Sequence, residues 1–282
     1  MTADRTDPPR WTRFVAIGDS FTEGLWDVDP DDPDRVRGWA DILATTLSAR
    51  RTAAGEAPLE YANLAVRGRL LRPIVTEQLP AALGLAPDLV SLIGGGNDIL
   101  RPTADVDRLA RDLEAAVVEL RASGADVLLG TGMDTADSPI VRHTRTRIAV
   151  YNAHIWSIAR RQGAYVLDLW GMRSLHDLRL WADDRIHLTT EGHTRVAQAA
   201  LVALGLEPDD TSWDDSLAAQ APAPRVERVM ADAAWLREYV YPWATHRFRG
   251  TSSGDLITAK RPVLSPIEAI ARVAGSGDAS AE

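Results

Sequence analysis

Short apolar runs alternate with amphipathic segments over residues 13–205. Five runs have the length and apolar content of buried strands, and they cover residues 13–19, 59–66, 87–95, 125–132 and 164–170. Between and after them, apolar residues recur every three or four positions. This spacing predicts helices over residues 34–51, 69–83, 105–124, 148–158 and 190–205. Apolar strands that alternate with helices are typical of a parallel sheet covered on both faces.

Glycines and polar residues follow the predicted strands. The first strand runs into GDS (18–20), the second is followed by RG (67–68) and the third by GGND (95–98). Downstream of the fifth strand comes DRIH (184–187). In doubly wound sheets, ligands bind beyond the carboxyl ends of the strands. We therefore expect these four segments to meet at one edge of the sheet.

The residue types in these segments suit acyl transfer, which needs a nucleophile, a base, a group that orients the base, and donors for an oxyanion. Ser20 supplies a hydroxyl just past a strand, and His187 supplies a base. Asp184 lies three residues before His187, so one turn of loop can bring its carboxylate to Nδ1. The N–H groups of Ser20 and Gly68 and the amide of Asn97 are candidate oxyanion donors. Taken alone, Ser20 would be read as a turn residue.

Four segments together resemble the sequence blocks of the SGNH, or GDSL-type, serine hydrolases. They are GDSFTEG (18–24), Gly68, GGGND (94–98) and DRIHLTTEGH (184–193), in family order. The resemblance implies that Ser20 is the nucleophile, that Asp184 and His187 complete its triad, and that Ser20, Gly68 and Asn97 form the oxyanion hole. It also implies a three-layer α/β/α sandwich with a five-stranded parallel sheet of flavodoxin-like topology.

The amino-acid composition limits the kinds of partner and cofactor that the protein is expected to bind. The chain of 282 residues has a formal net charge of -9, which disfavours nucleic acid and anionic membranes as partners. It has no cysteine, so disulfides and thiol nucleophiles are excluded, and its histidines do not follow a zinc spacing. We predict no metal and no cofactor. With no apolar leader and no run of about 18 apolar residues, we expect a cytoplasmic protein.

Three tryptophans and a second serine motif each have more than one interpretation. Trp26, Trp170 and Trp181 are candidates for an acyl or alcohol pocket, although core packing explains each of them equally well. The segment GTSSG (250–254) matches the G-x-S-x-G nucleophile motif of another hydrolase fold. No strand is predicted before it and no histidine follows it, so we interpret it as a loop.

Domain boundaries follow from these patterns. We assign residues 1–11 to a flexible tail, residues 12–205 to the catalytic domain and residues 206–282 to a C-terminal extension. Apolar spacing predicts an amphipathic helix near residues 225–240 of the extension. The rest of the extension has no regular period. We expect it to pack on the core or on a partner subunit, which would make a homodimer.

The expected activity is hydrolysis of a small-molecule carboxylic ester through an acyl-enzyme intermediate. Acetyl and short-chain acyl esters are the preferred substrates on this interpretation. The alternatives are an acyltransferase, a lysophospholipase or a thioesterase on the same residues. A binding protein that keeps the fold without turnover is a further alternative, but the presence of all the triad and oxyanion residues speaks against it.

Overall fold

The computed structural model describes residues 9–29, 32–138, 141–220 and 257–268, together with Trp235 and Glu238. Its strands are β1 (Arg13–Gly18), β2 (Val28–Asp29), β3 (Asp32–Val36), β4 (Glu60–Asn63), β5 (Leu89–Ile93), β6 (Asp126–Gly130), β7 (Tyr165–Leu167) and β8 (Arg261–Pro266). Its helices are α1 (Ser20–Glu23), α2 (Trp39–Ala53), α3 (Leu71–Pro73), α4 (Leu79–Gly84), α5 (Gly96–Ile99), α6 (Val106–Ala122), α7 (Arg145–Gln162) and α8 (Thr190–Ala203). A π-helical turn, Ile74–Gln78, joins α3 to α4.

The central sheet has the strand order β7-β6-β5-β1-β4-β8. Strand β1 pairs in parallel with both β4 and β5, and β6 and β7 continue the parallel arrangement. The chain adds β4 on one side of β1 and the next three strands on the other. The winding therefore reverses beside β1, which is where a ligand site is expected in such a sheet.

Apolar side chains cover both faces of the sheet. In β1, Phe14 and Ala16 pack into the cluster beneath α2 and α8, whereas Val15 and Ile17 pack into the cluster beneath α6 and α7. Because successive side chains of a strand point to opposite faces, a strand buried on both sides must be apolar throughout. The predicted three-layer α/β/α sandwich is confirmed.

The sheet differs from the prediction at one edge. It has six strands rather than five, because β8 from the C-terminal extension pairs antiparallel with β4. The sequence of β8, RPVLSP, contains two prolines and shows no alternation, so its pattern predicts no strand. An edge position tolerates proline, since only one side of the strand needs hydrogen bonds. A second difference is that residues 32–36, of which 34–36 were assigned to a helix, form β3, and α2 begins at Trp39.

The chain ends also differ in detail from the predicted boundaries. Trp11, assigned to the flexible tail, is buried, and its indole N–H donates to Asp126. The helix predicted near residues 225–240 and the GTSSG segment lie outside the described residues, apart from Trp235 and Glu238. Among the helices that the structure describes, none has both the length and the apolar content needed to cross a bilayer.

Candidate active site

The turn after β1 presents Ser20. A Cβ on Gly18 would lie 2.6 Å from the carbonyl oxygen of Ile93, so only glycine permits this close approach. Asp19 caps α1, because its Oδ1 accepts a hydrogen bond from the Phe21 N–H at 3.1 Å. Ser20 is thus the first residue of a short helix that begins one residue beyond the strand.

Ser20, His187 and Asp184 form a hydrogen-bonded chain. The Nε2 atom of His187 lies 2.9 Å from Ser20 Oγ, and its Nδ1 lies 2.5 Å from Asp184 Oδ2. The other carboxylate oxygen, Oδ1, accepts from the backbone N–H groups of Ile186 and His187 at 3.0 Å each. The structure therefore brings together three residues that the sequence analysis had assigned to one triad.

The pKa of Asp184 lies below its ordinary value. Burial alone would raise this pKa, but the hydrogen bond and charge of His187 and the two backbone N–H groups outweigh the burial. The carboxylate is thus ionised at neutral pH. It can hold the imidazole with Nε2 toward Ser20 and stabilise an imidazolium.

A tight loop carries Asp184 and His187. The N–H of Ala182 donates to the carbonyl of His187 at 2.8 Å, and the N–H of Arg185 donates to the carbonyl of Ala182 at 2.8 Å. Arg185 has a φ of 55°, the left-handed conformation that side chains rarely adopt. These backbone bonds close the loop on itself and fix the distance between the acid and the base.

The three predicted oxyanion donors lie in the segments that follow β1, β4 and β5. The side-chain amide of Asn97, in α5, donates to Asp19 Oδ2 at 3.2 Å and to the Arg69 carbonyl at 3.1 Å. Gly68 has a φ of 74° in the turn after β4. Ser20 and Asn97 line the cavity at this site, and Gly68 is not among its lining residues.

Glu23 holds the Gly68 turn against α1, the helix that Ser20 begins. Its buried carboxylate accepts from the Arg67 backbone N–H at 2.6 Å and from the Arg67 guanidinium. Glu23 is not among the site residues that the motifs predicted. Its position in GDSFTEG, at the end of the predicted site segment, is the one signal that pointed to it.

Two buried ionisable side chains adjoin the triad. Burial raises the pKa of the Asp19 carboxyl to about 6. Burial also lowers the pKa of His193 to about 4, and its Nδ1 accepts a hydrogen bond from the Trp39 N–H at 3.3 Å. His193 is therefore neutral at physiological pH and fastens α8 to the start of α2.

A cavity of about 230 Å³ opens beside Ser20 and His187. Its wall is mainly apolar and includes Ile93, Ile148 and Trp181. Segment 130–138, which was not predicted to be part of the site, forms much of this wall. The rule that found the other segments also applies there, because this segment follows the carboxyl end of β6.

The three candidate pocket tryptophans occupy different places. Trp181 lines the cavity, and its indole N–H donates to the Leu175 carbonyl at 2.8 Å. Trp26 and Trp170 do not line it. Trp26 is 40% exposed, and Trp170 lies under the guanidinium of Arg145 at 5.2 Å. Trp26 and Trp170 are close in sequence to predicted site segments, but neither side chain reaches the cavity. Over the described ranges, no cluster of three or more acidic or histidine side chains could hold a metal ion.

The family comparison covers this whole site. Residues 16–195 match the model of the GDSL-like lipase/acylhydrolase family, a span that includes all five predicted site residues. The chain belongs to this family. This acylhydrolase is accordingly an SGNH-type carboxylic ester hydrolase, as the resemblance implied. A comparison with curated proteins gave no match.

Solved structures share the fold of this acylhydrolase. A tryptophan-to-isoleucine variant of Axe2, an acetyl xylan esterase from Geobacillus stearothermophilus, superposes with a TM-score of 0.59 at 19% identity, over 71% of this chain and 97% of that one. LAE5, an alpha/beta hydrolase from the metagenome of Lake Arreo, Spain, gives 0.58 at 22% identity, over 72% and 98%. TesA gives 0.53 at 22% identity, over 68% and 97%.

Proposed function

We propose that this acylhydrolase is a serine esterase in which Ser20 attacks the carbonyl carbon of a small carboxylic ester. The observation that carries the proposal is the unbroken hydrogen-bonded chain from Ser20 Oγ through His187 to Asp184, at the wall of an apolar cavity. A nucleophile, a base and an orienting carboxylate in hydrogen-bond contact are the minimum that acyl transfer requires.

The reaction has two halves. In the first, the hydroxyl proton of Ser20 passes to His187 Nε2 as Oγ bonds to the ester carbon. The oxyanion accepts hydrogen bonds from Ser20 N–H, Gly68 N–H and Asn97 Nδ2. To donate to it, the Asn97 amide gives up one of its two present acceptors, Asp19 Oδ2 or the Arg69 carbonyl. The tetrahedral intermediate then expels the alcohol, which takes the proton from His187. In the second half, His187 deprotonates a water that attacks the acyl-enzyme, and the carboxylic acid leaves as Ser20 regains its proton.

The substrate is an ester with an acetyl or other short acyl group. Axe2, which has this fold, is an acetyl xylan esterase, and its catalytic mutants replace a serine, an aspartate and a histidine. The aspartate and the histidine there are three positions apart, as Asp184 and His187 are here. One water molecule occupies about 30 Å³ in the liquid, and an acetyl group has three heavy atoms to the one of water. The cavity of about 230 Å³ therefore has more room than an acetyl group needs. Short acyl chains beyond acetyl are therefore included.

Hydrolysis of p-nitrophenyl esters with acyl chains from acetyl to octanoyl tests the proposal. Ser20→Ala is expected to lose at least about 10³-fold in kcat and to resist labelling by a fluorophosphonate. The matched control is Ser138→Ala, because Ser138 lines the same cavity and its hydroxyl accepts from the Val141 N–H. Equal rates for wild type and Ser20→Ala would refute the serine mechanism. A preference for the longest chain would refute the short-acyl assignment.

A further inference from the structure

Two residues of the C-terminal extension contact the segments that carry the triad. Lys260 lies beneath the end of the nucleophile helix α1. Trp235 lies against the loop that carries Asp184 and His187. Both residues fall outside the span that matches the family model, which ends at residue 195.

Lys260 is the single lysine of the chain, and its ammonium group is largely enclosed by oxygen atoms. It donates to the carbonyl of Glu23 at 2.5 Å, to that of Val36 at 3.1 Å, to that of Arg37, and to Asp41 Oδ2 at 2.6 Å. A lysine has three donor hydrogens, so this ring of acceptors uses all of them. The last carbonyls of a helix lack partners within the helix, and an ammonium group satisfies one of them here.

The contact with Glu23 links Lys260 to both sides of the nucleophile. Glu23 ends the helix that Ser20 begins, and the N–H groups of Gly24 and Leu25 both donate to the Ser20 carbonyl. The Glu23 carboxylate meanwhile holds Arg67, which precedes Gly68. Lys260 thus fixes the backbone of the residue whose side chain fixes the Gly68 turn.

Trp235 makes the corresponding contact on the other half of the site. Its side chain is 6% exposed, and the guanidinium of Arg185 lies 4.7 Å from the centre of its ring. A guanidinium at this distance over an indole ring is attracted to it electrostatically. Arg185 follows Asp184 directly in the tight loop and has the left-handed φ of 55°. The indole therefore holds the side chain of a residue at the bend of that loop.

We propose that Lys260 and Trp235 are positioning residues for this reaction: Lys260 sets the Ser20 helix and Trp235 sets the Asp184–His187 loop. The extension is then part of the catalytic apparatus. Neither side chain touches the reacting atoms. Their effect is on the distance between Ser20 Oγ and His187 Nε2, and a misplacement of about 1 Å can cost about 10²-fold in rate. The proposal rests on the serine mechanism given above.

The test compares kcat per active site in full-length variants. Lys260→Met removes the ammonium group, and Trp235→Leu removes the aromatic ring. Trp235→Phe keeps an aromatic face and is the conservative rescue. Asp41→Asn removes the charge of the carboxylate that accepts from Lys260 and leaves the lysine in place. This variant replaces Lys260→Met in the test if Lys260→Met does not fold. Val263→Ser is the matched control, because Val263 lies in β8 and is 61% exposed.

Titration with a fluorophosphonate measures the concentration of enzyme whose Ser20 can react. Because kcat is calculated from this concentration, a variant that is partly unfolded does not show a falsely low kcat. We expect Lys260→Met and Trp235→Leu each to lower kcat per site about tenfold, with KM within about twofold of wild type, and to slow labelling of Ser20 in proportion. Asp41→Asn is expected to show a smaller loss of the same kind. Trp235→Phe is expected to recover most of the rate, and Val263→Ser to match wild type.

Three outcomes overturn the proposal. They are an unchanged kcat per site in both Lys260→Met and Trp235→Leu, an equal loss in Val263→Ser, and a Trp235→Phe variant as slow as Trp235→Leu. Ser20→Ala is measured in the same series. If Ser20→Ala is as active as wild type, the serine mechanism itself fails, whereas wild-type-like extension variants beside an inactive Ser20→Ala refute only the positioning role.

Discussion

The Asp19 carboxylate accepts hydrogen bonds from two different segments of the site. Its burial raises its pKa. One carboxylate oxygen caps α1 and the other receives the Asn97 amide. These two bonds fix the Asn97 amide and the start of α1 beside Ser20. The enclosure that makes these bonds also removes water from the carboxylate, which raises its pKa to about 6. An ionised Asp19 at neutral pH is therefore a cost to stability that the geometry of the site imposes.

This cost predicts a pH-dependent effect of Asp19→Asn. The folded pKa of about 6 lies above the ordinary value of 3.8, so the wild-type carboxyl stabilises the fold least when it is ionised. The stability of Asp19→Asn relative to wild type should rise by about 2 kcal/mol between pH 4 and pH 7, on top of any constant offset from the altered bond to Asn97. Urea unfolding at pH 4, 5.5 and 7 measures it. A difference that does not vary with pH would contradict the raised pKa.

Asp184→Asn tests the orienting role of a single carboxylate. An amide at this position can donate to His187 Nδ1 and would then favour the wrong tautomer. We expect kcat to fall by about 10⁴-fold, with a much smaller effect on KM. Asp183→Asn, at the neighbouring position, is the control and should stay near wild type. The prediction fails if the two variants lose similar amounts of activity in the p-nitrophenyl acetate assay.

At the scale of elements, the end of α1 packs backbone to backbone against the start of α2. A Cβ on Gly38 would lie 2.4 Å from the Cα of Gly24, and a Cβ on Gly24 would lie 2.1 Å from the Arg37 carbonyl oxygen. Gly24 and Gly38 both have positive φ, at 86° and 100°. This contact brings the Arg37 carbonyl to Lys260 and the N-terminal end of α2 to His193. The starts of α2 and α8 thereby fix the direction of the helix that carries Ser20.

Gly38→Ala should therefore destabilise the fold in two ways: through its backbone conformation and through the clash of the added Cβ with Gly24. Gly55→Ala is the matched control, because Gly55 has a φ of 81° but nothing lies within 4 Å of the position that a Cβ would take there. Gly38, with a φ of 100° and a ψ of 172°, lies in a region that is essentially restricted to glycine, and the clash adds to this strain. Gly55→Ala incurs only the cost of its positive φ, about 1–3 kcal/mol. Unfolding in urea should show a loss at least about 2 kcal/mol larger for Gly38→Ala, the cost of forcing an extra methyl into a packed contact. Equal losses would mean that the contact is not tight.

At the scale of the whole molecule, the extension completes the sheet. Strand β8 covers the edge of β4, and the side chain of Arg261 donates to the Tyr61 carbonyl at 2.9 Å. An uncovered edge strand offers unpaired backbone groups to other chains. The segment up to residue 220 also packs on the core, since Arg50 contacts both Glu207 and Asp209. The extension thus packs on the catalytic domain through β8 and through the segment that follows α8.

Removal of residues 221–282 should lower Tm by roughly 5 °C and promote aggregation, because it uncovers β4 and deletes Lys260. Removal of residues 269–282 alone is the control and should leave Tm unchanged. Differential scanning fluorimetry and light scattering measure both effects. The same light-scattering series tests the predicted homodimer, which requires a mass twice that of one chain. Identical melting of the two truncations would contradict the structural role of β8.

The sequence by itself determined the local features of this protein. Periodicity located the main helices and the five parallel strands, because a strand buried on both faces or a helix buried on one face leaves a regular apolar pattern. Motif chemistry singled out Ser20, Asp184 and His187 as candidates, because only a few residue types can act as nucleophile, orienting carboxylate and base. The predicted strands were longer than the observed ones by up to two residues at the start and up to three at the end, because composition marks the buried segment and not the last ladder hydrogen bond.

Tertiary structure decided what depends on contacts between distant parts of the chain. The sequence could not show that Ser20 and His187, 167 positions apart, come within 2.9 Å, nor which tryptophan faces the cavity. It could not show that RPVLSP pairs with β4, because an irregular edge strand is held by its partner's hydrogen bonds rather than by its own pattern. Lys260 reaches Glu23 across 237 positions for the same reason. Such pairings depend on which surfaces the fold brings together, and no local pattern encodes them.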